Sequence, residues 1–269
     1  MKTKAIAEAK IKTDTLDART LAHLLRSDLV AECYIAPREI REDRLLLRLR
    51  TNLVQDRTRV MNRVHSLLDK YDVKCDYDDI FGVKGTRWLR SLKLSDNDQI
   101  LIHQYVTQIE FLNTEIKNIE SKITCEASKN ESVKILMSMT GIDYFSAMMI
   151  ASEIGDITRF STPEKLVSWS GLCPSIHQSG NSLYMGRMKD GNKKVRWILI
   201  QAANTAARKD DRLRKFYLRI AKRHGHHVAI THVANKMITI IWHMLVNKKL
   251  YNERKHNLYE TKLKRIQKI

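Results

Sequence analysis

"ILIHQYVTQIEFLNTEIKNIESKI", residues 100–123, carries the most regular apolar pattern in the chain. Its apolar residues recur at alternating spacings of three and four, at Ile102, Tyr105, Ile109, Leu112, Ile116, Ile119 and Ile123. This spacing predicts an amphipathic helix with an a/d seam lasting about three heptads. Such a seam requires a partner helix. The partner is either the preceding helix, folded back as an antiparallel hairpin, or the same helix of a second subunit.

The segment before this seam, from Arg38 to about Tyr71, predicts a second long amphipathic helix. One side is apolar and carries Leu46, Leu49, Leu53, Val60, Val64 and Leu67. The other side carries Arg41, Arg44, Arg48, Arg50, Arg57, Arg59 and Arg63. Acidic residues are interleaved, so this side is either a solvated helix face or a contact for a nucleic-acid backbone. Residues 74–95 are expected to connect the two helices, with turns at Gly82 and Gly85.

The composition predicts a mainly α protein that binds polyanions. Only 9 glycines and 3 prolines occur in 269 residues, and long helical patterns dominate. The net charge is +18, and 22 Lys/Arg against 5 Asp/Glu lie between Met185 and Ile269. Nucleic acid is the expected partner, since Lys and Arg supply most non-specific affinity for phosphates. No uncharged apolar run of about 18 residues is present, so no membrane partner is expected. The four cysteines form no CxxC pair, which favours a cytoplasmic location.

Residues 135–156 predict two apolar helices joined at Gly141, in a new domain that begins near Ser132. A tight glycine turn of this kind is typical of a helix-hairpin-helix, in which backbone N–H groups approach a phosphate. The alternative is an ordinary helical hairpin with a C-cap glycine.

The stretch from Gly171 to Gly191 is the most polar and least regular part of the second half, and we expect a loop there. A helix is expected from about Lys193 to Ala207. Small residues and cations stand close together in this region, as a phosphate-handling site requires. The candidate nucleic-acid-binding residues are Gly141, Gly180, Arg187, Lys193, Lys194 and Arg196.

Two more helical patterns follow, with His224, His226, His227 and His232 between them. No Cys or acid stands at ligand spacing from this cluster, which favours a basic surface or helix cap over a metal site.

Near the start of the chain, Asp14 and Asp17 begin a helix predicted to run to about Leu29. Acids in a first helical turn favour the positive end of the helix dipole, so a capped helix is one interpretation. The other is a pair of metal-binding carboxylates, because residues three apart share a helix face.

Three stretches together resemble the DEDD-type insertion-sequence transposases, the insertion-sequence one-ten family, also called bridge-RNA-guided recombinases. They are "KTDTLDARTLAHLL" (12–25), "GIDYFSAMMIASEIGDITRFSTPEKLVSWSGLCPSIHQSG" (141–180) and "KDGNKKVRWILIQAA" (189–203). The resemblance covers nearly the whole chain. It implies an RNase H/RuvC-like domain, a coiled coil and a helical transposase domain. The corresponding expected divisions are residues 1–36, 37–130 and 131–269.

The resemblance also implies an active site. The family's K-x-D-x-x-D-A pattern is matched by Lys12, Asp14, Asp17 and Ala18, and its P-x-x-x-x-S-G pattern by Pro174, Ser179 and Gly180. Asp14 and Asp17 are then the last two acids of a Mg²⁺ site, and Ser179 is the nucleophile that joins to DNA. DNA, a guide RNA and further copies of the chain, as a dimer or tetramer, are the implied partners.

The chain departs from the family pattern at its start, because only thirteen residues precede Asp14. The first Asp and the Glu of the DEDD set have no match, so we expect only the last helix of the RuvC-like domain. The expected function is a DNA transposase that is truncated and inactive alone. One alternative is a non-catalytic DNA- or RNA-binding and dimerisation module. Another is a helix-hairpin-helix protein that binds branched DNA.

Overall fold

The computed structural model describes residues 13–29, 33–75, 77–179, 182–188, 190–252 and 254–267. In these ranges the mainly α prediction is confirmed. The helices are α1 (Asp14–Arg26), α2 (Arg38–Lys70), α3 (Val83–Ser91), α4 (Asp96–Lys129), α5 (Glu131–Met137), α6 (Tyr144–Ile154), a 3-10 turn (Ile157–Arg159), α7 (Pro163–Ser170), α8 (Lys193–Lys209), α9 (Asp211–Val246) and α10 (His256–Gln267). Two strands, β1 (Pro174–Ser179) and β2 (Ser182–Met188), lie between α7 and α8.

The described residues before Arg38 form one compact unit. Its helix α1 begins after Thr13, whose hydroxyl accepts a hydrogen bond from the Leu16 amide at 3.3 Å. Both first-turn acids stand at the positive end of the helix dipole, and His23 and Arg26 stand at the negative end. The predicted helix is therefore confirmed, with its end at Arg26. None of the residues of α1 is buried.

The residues from Arg38 onward form the second unit, which begins with a long helical hairpin. Helices α2 and α4 are antiparallel, because their cross-links run in opposite sequence order. Arg50 pairs with Glu120 at 2.6 Å, Arg57 donates to Asn113 at 2.7 Å, and Lys70 pairs with Asp98 at 2.6 Å. The shared apolar core contains Val60, Val64, Leu67, Leu68, Ile102, Val106, Ile109 and Leu112. Of the two possible partners for the seam, the preceding helix is the one that covers it.

The connection between these helices contains a short helix that was not predicted, because its two glycines indicated turns. The residues from Val83 to Ser91 form α3, for which Gly82 is the N-cap, and Leu89 is fully buried against the hairpin. Gly85 was predicted to lie in a turn, but it lies inside this helix. A Cβ at Gly85 would come within 2.3 Å of the Ile80 carbonyl oxygen, so close backbone packing requires the glycine.

The second core is formed by α5 to α10. Helix α8 carries four buried alanines, Ala202, Ala203, Ala206 and Ala207, and packs against α9 and α6. Small side chains allow two helix backbones to approach closely. Helix α9 is interrupted at Gly225, whose φ of 78° and ψ of 175° are non-helical. The prediction of two helical patterns is thus confirmed, and they meet at this glycine.

The region between Gly171 and Gly191 was predicted to be an irregular loop, and this prediction was wrong. It forms an antiparallel β-hairpin in which Ser179 pairs with Ser182 and Pro174 with Met188. Two residues separate the paired serines, and a two-residue connection containing glycine is a recognised hairpin signal. Among the described helices, none is both long and apolar enough to cross a lipid bilayer.

The connected end of the α2–α4 hairpin, where residues 71–95 join the two helices, is held by Asp98, and it should unfold more easily in acid. The carboxylate accepts hydrogen bonds from Lys70, Tyr71 and Ser95, and these lower its pKa to about 2, with Lys70 the largest cause. A depressed pKa stabilises the fold above the unfolded value near 3.8, and this contribution is lost as the pH falls toward about 2.

We expect Asp98→Asn to lower the urea midpoint at pH 7 and to flatten its dependence on pH between 4 and 2. Asp96→Asn is the matched control, because Asp96 is an exposed acid of the same helical turn. Equal acid sensitivity of the parent and Asp98→Asn, measured by circular dichroism, would contradict this assignment.

Candidate functional site

The two predicted metal-binding carboxylates lie in the first turn of α1. Asp14 is exposed and Asp17 is partly exposed, and neither carboxylate has a hydrogen bond or ion pair with another described residue. Their spacing of three places both on one face of the helix. Carboxylate oxygens are suitable ligands for Mg²⁺, but the pair alone is not a complete ligand set. Within the described ranges, no group of three His, Cys, Asp or Glu side chains is placed to hold a metal ion.

The predicted nucleophile, Ser179, is the last residue of β1 and stands beside the tip of the β-hairpin. Gly180 lies outside the described residues, as do the side chains of Ser179 and Arg187. Arg187 is the penultimate residue of β2, next to the Pro174–Met188 pair at the base. It stands five positions after Ser182 in the strand, which is roughly 17 Å at about 3.4 Å per residue. The hairpin therefore holds the backbones of Ser179 and Arg187 at opposite ends.

The base of the hairpin is fixed by two glycines in backbone contact. Gly171 ends α7 in the left-handed conformation, with φ of 71°. A Cβ at Gly191 would come within 2.4 Å of the Gly171 nitrogen and 2.7 Å of the Trp169 carbonyl oxygen. The Asn192 amide donates to the same Trp169 carbonyl at 2.9 Å. The chain segments before β1 and after β2 are thus held together by backbone contacts where the hairpin joins the helical core.

A buried carboxylate lies behind this base and was not among the predicted site residues. Glu153, at the end of α6, is 3% exposed. Its carboxylate accepts from Arg48 at 2.9 Å and from the Asn192 side-chain amide at 2.8 Å. The Arg44 guanidinium lies 3.9 Å from it and donates to the Ser152 and Glu153 carbonyls at 2.9 and 3.0 Å. One signal was available in the sequence, since an acid within a helix as apolar as "MMIASEI" must find partners when buried.

Asn192 links this carboxylate to the start of α8. Its side-chain oxygen accepts from the amides of Lys194 and Val195, each at 3.0 Å, so it is the N-cap of the helix. These two amides are consequently not available to a phosphate. Lys193 is exposed and Lys194 partly exposed. The Arg196 guanidinium turns back to the Gly171 carbonyl at 3.4 Å. Of the predicted cations, the two lysines are therefore the better placed to meet a ligand in solution.

The turn between α5 and α6 requires a glycine because the turn packs closely against α8. Gly141 has φ of 91°, and a Cβ there would come within 2.4 Å of the Ala202 carbonyl oxygen on α8. On the carbonyl side of the turn, the Lys262 ammonium from α10 donates to Met137, Ile142 and Met139, at 2.8, 2.6 and 3.0 Å. Burial lowers the pKa of Lys262 to about 8, so the ammonium persists at pH 7.

The arginines of α2 were predicted to face either solvent or nucleic acid, and many of them instead contact protein. Arg44 and Arg48 contact Glu153, Arg50 pairs with Glu120, and Arg57 donates to Asn113. Arg50 also lies over the Phe145 ring, 4.4 Å from its centroid. Arg44, Arg48 and the Arg50–Phe145 contact attach the helical hairpin to the second core. The bonds to Glu120 and Asn113 hold α2 and α4 together.

Comparison with known families matches two segments of the chain. The model described as "Transposase IS116/IS110/IS902 family" matches residues 133–218. A second model, of the DEDD type from IS110 and described as "Transposase", matches residues 1–72. The chain belongs to the IS110/IS116 family of transposases. The first segment contains Glu153, Ser179 and Asn192, and the second contains Asp14 and Asp17.

Several curated transposases align with most of the chain. It is 26% identical over 251 residues to the transposase for insertion sequence element IS1111A of Coxiella burnetii, covering 89% of this chain and 68% of that protein. It is 25% identical over 223 residues to a probable family 20 transposase of Pseudomonas aeruginosa, covering 76% and 63%. A putative transposase of Sinorhizobium fredii is 27% identical over 197 residues, covering 73% and 48%. The chain thus spans between about half and two thirds of these relatives' lengths.

Removing the buried carboxylate should destabilise the whole second unit. We expect Glu153→Ala to lower the free energy of unfolding by about 3 kcal/mol or more, because Arg48, Arg44 and Asn192 then lose a shared buried partner. Urea denaturation followed by circular dichroism measures the loss. Glu39→Ala is the control, since Glu39 is exposed on α2 and should change stability by no more than about 0.5 kcal/mol. Equal midpoints for the two variants would contradict this role of Glu153.

A second variant tests the ammonium beneath the Gly141 turn. Lys262→Met keeps most of the side-chain length but removes the donor from three carbonyls. We expect a loss of at least about 2 kcal/mol, as buried unsatisfied polar groups cost about 1–3 kcal/mol each. Lys264→Met on the exposed side of α10 is the matched control. Unfolding of Lys262→Met at the same denaturant concentration as Lys264→Met would refute the interpretation.

Proposed function

We propose that this chain takes part in cutting and joining DNA strands to move an insertion sequence, with Ser179 as the nucleophile. The observation that carries the proposal is the position of Ser179. It stands beside the tip of a hairpin whose base is closed by Gly171 and Gly191, within the segment that matches the transposase family. A nucleophile at a tip can reach a backbone outside the protein, while the fixed base limits the directions it can take.

The proposed metal ligands are Asp14 and Asp17, which supply hard oxygen donors for Mg²⁺. In this chemistry the ion stabilises charge on the phosphodiester oxygens. The resemblance to DEDD enzymes requires two further acids, and these would have to come from residues beyond the described set. The serine hydroxyl needs a base or a metal to activate it. The strand-joining activity is therefore proposed for an assembly with a complete acid set, and this chain is proposed to be inactive alone.

Nucleic-acid contacts are proposed at the base of the hairpin and at the Gly141 turn. Lys193 and Lys194 carry charge beside the hairpin, Arg187 lies in its second strand, and Gly180 follows Ser179 in the sequence. Arg196 is better suited to hold the base in place, given its contact with Gly171. DNA and a guide RNA are the proposed ligands, bound in the cytoplasm. We also propose that α5, the Gly141 turn and α6 act as a helix-hairpin-helix.

The domain division at residues 1–36, 37–130 and 131–269 is likewise proposed. In this scheme α1 is the last helix of a RuvC-like domain, and the α2–α4 hairpin is a coiled coil that supports self-association. Exposed apolar side chains remain on the hairpin after its own seam is covered, including Leu45 (65% exposed), Ile100 (61%) and Phe111 (62%). Exposed apolar groups of this size are typical of surfaces that meet another chain.

A non-catalytic binding module is the second candidate function. It is favoured by the charge distribution, since 22 Lys/Arg against 5 acids lie from Met185 onward, whereas only two acids match the catalytic set. Such a module would hold DNA or RNA and dimerise without performing chemistry.

The two functions separate in one experiment on the full chain. Strand transfer from a plasmid carrying the element's ends is measured with Mg²⁺ and the element's RNA, and duplex binding is measured at about 50 and 200 mM salt. A purified intact family member is added to supply the other two acids. Its own nucleophilic serine is replaced, so that any strand transfer depends on the serine of this chain. We expect transfer by the parent and by Ser182→Ala, but none by Ser179→Ala, with binding equal in all three.

Each remaining outcome has a defined meaning. Transfer by Ser179→Ala would remove Ser179 from the chemistry. Binding without transfer by the parent in this assay would favour the non-catalytic module. Binding that does not weaken between about 50 and 200 mM salt would contradict a phosphate-dominated contact.

A further inference from the structure

We propose that a cationic pocket in the fold of α9 binds an unpaired nucleotide of a single-stranded nucleic acid. This inference rests on the proposed function, since it names the part of the nucleic acid that one site receives. The pocket lies in the second unit, away from the serine hairpin in sequence, and none of its residues was among the predicted site residues.

The pocket exists because α9 folds back on itself. Arg212 and Lys236 both line one cavity of about 350 Å³. In a straight helix the 24 residues between them would span about 36 Å, at 1.5 Å per residue. The break at Gly225, with φ of 78° and ψ of 175°, reverses the chain and brings the two halves together. This conformation is essentially restricted to glycine.

Four cations surround the cavity and no acid lines it. Three come from the first half of α9, at Arg212, Lys215 and Arg219, and Lys236 comes from the second half. All four are exposed, and none of their charged groups has an ion pair or hydrogen bond with another described side chain. In all of α9 the only acidic residue is Asp211. These cations therefore differ from Arg44, Arg48 and Arg50 of α2, which form ion pairs within the protein.

The floor between the cations is apolar. Phe216 and Ile240 line it, each partly exposed, and the Arg219 guanidinium lies 5.4 Å from the centroid of the Phe216 ring. A small anion would bind to the four cations alone and would make no use of the apolar floor. The combination of an aromatic surface with surrounding cations suits a base that stacks while its phosphates are neutralised.

This geometry favours an unpaired strand over a duplex. A duplex presents phosphates outward and keeps its bases stacked inside, so its backbone would leave the apolar floor unused. A splayed base of a single strand can lie on the aromatic ring. A cavity of about 350 Å³ is at the lower end of the range for small-ligand sites. The source of the nucleotide is either DNA or RNA, since both present the same base and phosphate chemistry.

The test compares two kinds of variant in the full chain. Phe216→Leu keeps an apolar floor but removes the ring, and Arg219→Gln with Lys236→Gln removes two charges. The control, Lys117→Gln with Lys122→Gln, removes two exposed charges from α4. Fluorescence anisotropy measures binding to labelled 12-nucleotide oligo-dT and oligo-U and to a 12-base-pair duplex. Thermal unfolding by circular dichroism is measured for every variant.

We expect Phe216→Leu to weaken binding to single strands about fivefold or more and to leave duplex binding within twofold, because stacking on one base contributes a substantial share of single-strand affinity. Arg219→Gln/Lys236→Gln should weaken single-strand binding about tenfold and reduce the slope of log K against log salt by about 1.4. A stronger effect on oligo-dT identifies DNA as the source, and a stronger effect on oligo-U identifies RNA.

The inference fails if the parent binds nucleic acid and both pocket variants bind single strands as the α4 control does. In that case the proposed nucleic-acid function stands and only this pocket is excluded. An equal loss of single-strand and duplex binding in Phe216→Leu, with unchanged melting, overturns the assignment to an unpaired base. No binding by the parent to any of the three probes would overturn both proposals.

Discussion

A single buried carboxylate connects the parts of the second unit. Glu153 is reached from α2 by Arg44 and Arg48 and from the start of α8 by Asn192. Two of these partners also make a second set of contacts, because Arg44 binds the last carbonyls of α6 and Asn192 caps α8. Since a buried charge is tolerated only when it is paired, the three elements cannot separate independently. The position of the β-hairpin follows, since its second strand ends at Met188, only four positions before Asn192.

The cations of this chain fall into two structural classes. Arg44, Arg48 and Arg50 of α2 are neutralised within the protein by Glu153 and Glu120. Those around the α9 pocket have no ion-pair partner among the described residues, although they stand close enough to line one cavity. Like charges in proximity repel one another, so the first class stabilises the fold while the second raises its energy until an anion arrives. Part of the excess positive charge of the C-terminal half is thus concentrated around one cavity.

Much of the helical framework could be predicted from the sequence, because apolar periodicity fixes which face of a helix is buried. The seam from Ile102 to Ile123 predicted α4, but any apolar helix face can satisfy a seam, so its partner could not be predicted. The β-hairpin was missed although the two residues after Ser179 have the length and glycine content of a tight turn. The Glu153 cluster was missed because two of its members, Arg44 and Arg48, lie more than a hundred residues before it. A charge pattern shows which side chains need partners, and only the fold shows which partners they obtain.

Lys262 links the order of synthesis of this domain to the order in which its contacts can form. Its ammonium binds three carbonyls of the turn that ends α5, more than 110 residues earlier in the chain. This α5–α6 turn is among the first parts of the domain to be synthesised, yet its carbonyls obtain this donor only from a much later helix. A growing chain that has passed the serine hairpin but has not yet reached α10 holds a turn with three carbonyls that lack this donor. The packing of this turn is therefore completed only after α10 has been synthesised, whatever the order in which the earlier helices fold.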